Sequence, residues 1–137
     1  MALRTVIDTN ILVSALSSKS QNHWLVELLL EEKLELSVTE DILLEYEEVL
    51  KTKYSDNVAS NFLLALRELP NVFYSRVFFR WNLISDADDN KFIDCYVASG
   101  AHYLITHDSD FSILKSVVFP KINVVSPEEF KASVEAK

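Results

Sequence analysis

Arg4-Thr5-Val6-Ile7-Asp8-Thr9-Asn10-Ile11-Leu12-Val13-Ser14-Ala15-Leu16 sets an acid and an amide between two apolar runs. One explanation is a turn. Asp, Thr and Asn are turn and cap residues, and Asp8 or Thr9 can cap a helix that starts near Asn10. The other explanation is a site. An acid at the C-terminal end of a buried parallel strand lies where open α/β sheets bind ligands. Taken alone the stretch leaves both open, so the reading moves outward.

Thr5–Ile7 reads as a short buried strand and Asn10–Leu16 as the first turns of a helix. Ser17–Asn22 is polar and loop-like. His23–Glu32 carries Trp24, Leu25, Leu28 and Leu29 at helical spacing. Leu34–Val38 alternates apolar and polar, a second strand. Thr39 is a plausible N-cap, with Glu40 and Asp41 complementing the dipole of a helix that runs to about Thr52. Asp56–Leu69 is helical, with Val58, Phe62, Leu63 and Leu66 on one side, and Pro70 stops it. Val72–Phe79 is strand-like, and Ser85–Asn90 is an acidic loop. Lys91–Ser99 is helical and ends at Gly100, the only glycine of the chain and a natural C-cap. Tyr103–Thr106 is a buried strand, Phe111–Leu114 a helical turn, and Ile122–Val125 a last strand. Ser126-Pro127-Glu128-Glu129 opens a C-terminal helix with Pro in its first turn. Strands alternating with helices predict an α/β fold: a three-layer α/β/α sandwich on a central, mostly parallel sheet.

The 137 residues are read as a single domain (1–137) with no repeat or linker. Nothing in the sequence approaches a membrane span. No basic region followed by an apolar stretch and a cleavage site opens the chain, so no signal peptide is expected. One cysteine, Cys95, excludes an internal disulfide; with the missing signal this favours the cytoplasm. A net charge of −8 argues against non-specific nucleic-acid binding through overall charge. It fits a chain that gathers carboxylates for divalent cations.

Two predicted strands end in acids, Ile7 into Asp8 and Thr106 into His107-Asp108. Parallel strands share one C-terminal edge, so Asp8 and Asp108 can converge across 100 positions of sequence. Helical segments add Glu45 and Asp89. At about 100° per residue, Ile42, Leu43, Tyr46, Val49 and Leu50 form one apolar stripe. Glu45 and Glu47 lie at its two borders, Glu48 points away, and angle does not choose between the border acids. Asp86-Ala87-Asp88-Asp89 also suits a helix N-terminus. Asp94 is odder, because it falls inside a helix opposite Phe92 and Tyr96. Hard cations such as Mg²⁺ and Mn²⁺ prefer oxygen ligands. Clustered carboxylates cannot all stay ionised without a cation. One glycine cannot build a glycine-rich phosphate loop. His23, His102 and His107 lack zinc-ligand spacing, and Cys95 has no partner.

Four blocks together, VIDTNILVSAL, SVTEDILLEYEEVL, DADDNKFIDCYVASGAHYLITHDSDF and INVVSPEEF, resemble the PIN domain family, and within it the toxin components of toxin–antitoxin pairs. The resemblance spans nearly the whole chain in order. It implies a ribonuclease dependent on Mg²⁺ or Mn²⁺, acting through clustered acids. Those acids are Asp8, Glu45, Asp89 and Asp108, with Glu45 favoured over Glu47 by the motif alone. Asp8, Asp89 and Asp108 are the implied metal ligands, and Asp94 is a possible further one. Asn10 and Thr106 match polar positions that support the acids. One departure is His107, where the family usually carries glycine. The implied partners are an RNA substrate, a cognate antitoxin protein and a second copy in a homodimer, with no membrane. Lys19, Lys51, Lys53, Arg76, Arg80 and Lys91 are the basic residues considered for guiding RNA. Trp24 and Trp81 are candidate interface residues.

Two other functions compete. A haloacid-dehalogenase-type phosphatase needs a second Asp two positions after the first, where this chain has Asn10. A non-catalytic module is the other: a receiver domain needs paired early acids and a late Lys after its strand, whereas Asp8 stands alone and Lys121 precedes its strand. An inactive PIN-like module is expected to lose an acid, and none is lost.

Overall fold

The computed structural model describes residues 3–136. In chain order the elements are β1 (Leu3–Ile7), α1 (Thr9–Ala15), α2 (His23–Leu30), β2 (Leu34–Val38), α3 (Glu40–Lys53), α4 (Asp56–Glu68), β3 (Val72–Tyr74), α5 (Asn90–Ser99), β4 (Tyr103–Ile105), a 3-10 helix (Ser109–Ser116), β5 (Val124–Val125) and α6 (Pro127–Glu135). Local chemistry sets several boundaries. The Thr39 hydroxyl accepts from Ile42 N–H at 3.3 Å and caps α3. Gly100 closes α5 at φ 67°, a left-handed conformation costly to any residue with a Cβ. Ser126 and Glu129 cap α6 reciprocally, at 3.1 and 2.9 Å.

All five strands are parallel, in the order β3-β2-β1-β4-β5. The chain steps from β1 to β2 to β3 in one direction. Helix α5 then carries it back to β4, on the other side of β1. That reversal puts helices on both faces of the sheet. Phe92 of α5 packs edge-on against Phe111 of the 3-10 helix, ring centroids 6.5 Å apart, in one layer. Trp24 of α2 stacks on Phe130 of α6 at 6.2 Å in the other. Val6, Ile7, Leu36, Val38, Leu104 and Ile105, from the three central strands, are fully shielded from solvent. Val6-Ile7 and Leu104-Ile105 are unbroken apolar pairs because a parallel sheet is covered on both faces, whereas β2 alternates Leu36 and Val38 with a buried Ser37.

The expected strand Val72–Phe79 is corrected to Val72–Tyr74. The pairing of β2 with β3 ends at Val38 opposite Tyr74, because β2 turns into helix α3 at Thr39. Residues 75–79 continue the strand-like pattern but have no strand left to pair with. The last strand likewise shrinks to Val124–Val125, while the short turn expected at Phe111–Leu114 grows to Ser109–Ser116. No helix among the described residues is long and apolar enough to cross a membrane.

Candidate active site

The strand order reverses between β1 and β4, and the crevice at such a switch point is where α/β sheets bind ligands. Asp8 follows β1 directly. Its backbone N–H donates to Ile105 O of β4 at 3.0 Å, so the β1–β4 ladder holds it in place. Its carboxylate forms no side-chain cap bond to α1. Instead Oδ2 accepts from the Thr106 hydroxyl at 2.8 Å. The Thr106 oxygen in turn accepts from Asp108 N–H at 2.9 Å. One threonine therefore locks both strand-end acids. Burial pushes the Asp8 carboxyl above its ordinary 3.8; the Thr106 hydrogen bond opposes that rise, and the negative charges of Asp108 and Glu45 add to it.

Helix α3 supplies Glu45. The Tyr46 hydroxyl, fully buried, donates to Ile7 O at 2.6 Å and pins the helix to the end of β1. Glu45 then accepts from the Thr9 hydroxyl and pairs with Lys91 Nζ at 2.5 Å. Glu47 faces Lys51 at 3.9 Å along the helix flank instead. The two border acids left open by the helical angle thus point to different surroundings, and only Glu45 reaches the cleft.

The turn before α5 supplies Asp89. Asn90 shapes it: the buried Asn90 amide accepts from Ile84 N–H at 3.2 Å and donates to Ile84 O at 2.8 Å. Asp89 occupies the N-cap position yet makes no side-chain cap bond, which leaves its oxygens free. Oxygens of Asp89, Asp108 and Asp110 lie within 4.8 Å of one another. Burial, with the charges of Asp86, Asp108, Asp8 and Asp110, pushes the Asp89 carboxyl up to about 6. Oxygen donors so crowded that one resists ionisation fit a hard divalent cation.

The acids Asp8, Glu45, Asp89 and Asp108 therefore come from four separate segments to one edge of the sheet. Asp110 joins them, although the sequence analysis names it only within the block DADDNKFIDCYVASGAHYLITHDSDF. Asp108 caps the 3-10 helix, its Oδ1 accepting from Asp110 N–H at 2.9 Å, so Asp110 lies in the first turn directly beside it. Asp94 stands apart from that trio. It is buried, and its Oδ1 accepts from Trp81 N–H at 3.0 Å. Asn10 is exposed and makes no side-chain hydrogen bond among the described residues. His107 turns away toward Glu128, at 3.5 Å. Burial pushes the Cys95 thiol up to about 12, which removes it as a nucleophile at neutral pH. Beside Glu45 opens a cleft of about 450 Å³ lined by Asp41, Arg80, Asn82, Asp88, Lys91 and Asp94.

These features define a parallel α/β sandwich with an acidic cluster at its switch point. The chain belongs to the PIN domain family, whose model matches residues 4–110. Among solved structures, the fold is similar to VapBC2 from Rickettsia felis bound to a DNA fragment from their promoter, with TM-score 0.63, 15% identity, and coverage of 90% of this chain and 98% of that one. It is also similar to VapC20 of Mycobacterium tuberculosis, described as a sarcin-ricin loop cleaving toxin, with TM-score 0.59, 16% identity, and coverage of 80% and 93%. The RRP44 PIN domain of T. brucei aligns with TM-score 0.56, 10% identity, and coverage of 99% and 83%. No curated protein matches the chain in sequence.

Proposed function

We propose that this chain is a divalent-metal-dependent endoribonuclease that hydrolyses RNA phosphodiester bonds, and that it is the toxin of a toxin–antitoxin pair. The observation that carries the chemistry is the convergence of carboxylates that form no ion pair among the described residues, Asp89, Asp108 and Asp110 within 4.8 Å and Asp8 locked beside them by Thr106. Family membership and the likeness to a toxin described as cleaving the sarcin-ricin loop support RNA as substrate and toxin as context. The likeness to VapBC2 supports an antitoxin partner. A homodimer and a cytoplasmic setting belong to the same reading.

Asp8, Asp89 and Asp108, with Asp110 beside them, would hold Mg²⁺ or Mn²⁺. The cation supplies neutralisation of phosphodiester charge and acidifies water. Glu45 orients the attacking water and accepts its proton, a role available once Lys91 moves its ammonium from the Glu45 carboxylate to the substrate phosphate. Water oxygen bonds to phosphorus, the bond to the 3′ oxygen breaks, and the proton held by Glu45 returns to that oxygen through solvent water, so the ends would be a 5′-phosphate and a 3′-hydroxyl. Thr106 keeps Asp8 and Asp108 in register throughout. Asp94 serves as a tether for the segment before α5 and not as a ligand.

The test is cleavage of a mixed-sequence single-stranded RNA with Mg²⁺ or Mn²⁺, beside EDTA and Asp8→Asn. Loss of cleavage in both controls is expected. Cleavage that survives both would sink the proposed site.

A further inference from the structure

Residues 75–83 form no helix or strand. The segment is tied at three points: Ser75 N–H donates to Val38 O at 2.9 Å, Trp81 N–H to Asp94 at 3.0 Å, and Ile84 N–H to Asn90 at 3.2 Å. Between the first two ties the chain reads Arg76-Val77-Phe78-Phe79-Arg80, with two cations and no acid in a chain of net charge −8. Phe78 is 90% exposed and Phe79 63%. Phe79 meets Trp81 edge-on at 4.7 Å, and Trp81 meets Phe119 at 5.7 Å, itself 79% exposed. The segment is thus an aromatic strip held out from the body and flanked by arginines.

The strip is continuous with the acidic site. Arg80, Lys91 and Asp94 line both the cleft beside Glu45 and a second cleft that reaches Arg76 and Phe78. Proteins that hold unpaired nucleic acid combine cations along the backbone path with aromatic faces for the bases. Bases in a duplex are stacked on one another and offer no free face.

We propose that residues 76–81 are a stacking platform for single-stranded RNA, with Phe78 receiving a base beside the scissile bond and Arg76 and Arg80 receiving phosphates. Asp94 is a positioning residue, because its bond to Trp81 fixes the strip against the cleft. The proposal deepens the ribonuclease reading and rests on it for the substrate class. It restricts that class to unpaired or looped RNA.

Phe78→Ala is the clean variant, because a side chain this exposed contributes little to folding. Anisotropy of a fluorescein-labelled 12-nucleotide single-stranded RNA, in the Asp8→Asn background, should show binding about fivefold to a hundredfold weaker for Phe78→Ala. A duplex of the same sequence should bind more weakly and ignore the substitution. Arg80→Ala should reduce the slope of log affinity against log salt by about 0.7. In the active protein without further substitution, hydrolysis of bis-p-nitrophenyl phosphate with Mn²⁺ reads the acidic cluster apart from RNA binding. Single-strand binding within twofold of the parent overturns the proposal. So does a Phe78→Ala variant that sediments as a monomer where the parent is a dimer, which assigns the strip to a protein interface. Failure of the ribonuclease reading looks different: the parent then hydrolyses neither RNA nor bis-p-nitrophenyl phosphate, while the binding comparison still reports on the strip.

Discussion

Asp89→Asn exchanges one atom and removes one charge from the crowded edge. Burial, with the neighbouring acids, lifts Asp89 from 3.8 to about 6, a gap worth roughly 3 kcal/mol if felt in full. Asp89 is only half-buried, and water screens its neighbours, so about 1 kcal/mol is expected to survive. The sign follows from linkage. A carboxyl whose folded-state pKa is raised penalises the fold above that pKa, and the penalty fades as pH falls toward the unfolded value. The penalty is therefore whole above about 6 and gone below 3.8. In EDTA at pH 7.5, Asp89→Asn should gain about 1 kcal/mol, or roughly 3 °C in Tm. At pH 4 the gain should shrink to less than half. Thermal unfolding followed by circular dichroism at both pH values reads this directly. With Mn²⁺ the order should invert, because the parent loses its repulsion and gains a ligand while the variant has one ligand fewer. A variant less stable than the parent in EDTA at pH 7.5, or a gain equal at both pH values, refutes the burial and like-charge repulsion of the Asp89 carboxylate as the cause.

Asp8→Asn should reduce metal-dependent RNA cleavage by at least about a hundredfold, the scale of losing one oriented electrostatic group, as read by initial rates. Tyr46→Phe leaves the buried Ile7 carbonyl without its donor and should cost about 1–3 kcal/mol in urea unfolding, with cleavage falling as Glu45 loosens. Gly100→Ala meets no atom within 4 Å of the new Cβ. Its cost is therefore the left-handed backbone alone, about 1–2 kcal/mol by the same unfolding measurement.

The layers were legible because they rest on patterns that survive burial. Leu34–Val38 is bounded as its alternation implies, and Gly100 ends α5 as the only residue suited to φ 67°. Residues 75–79 misled because strand propensity says nothing of whether a partner exists, and β2 had already become α3 at Thr39. At the site, the convergence of Asp8 and Asp108 followed from parallel strands sharing an edge. The difference between Glu45 and Glu47 did not follow from helical angle. It is set by Thr9 and Lys91, which arrive from distant parts of the chain. Asp94 was conspicuous in sequence as an acid inside a helix, opposite Phe92 and Tyr96, but its burial and its partner, a backbone amide of an irregular segment, are announced by no periodicity. Asp110 was quoted and passed over, because its neighbour Asp89 is near only in space.

The β1–β4 ladder joins Asp8 to Thr106 across 98 positions. On a ribosome adding about 5–20 residues per second, roughly 5–20 s separate the synthesis of Asp8 from that of Asp108. Through that interval Asp8 lacks the Thr106 hydroxyl and the Asp108 and Asp110 carboxylates, although Glu45 and Asp89 are made earlier. The central strand waits with one edge open until β4 is made. The complete acidic edge is thus absent from every shorter growing chain, and the timetable of synthesis itself sets when the last of its acids meets the first.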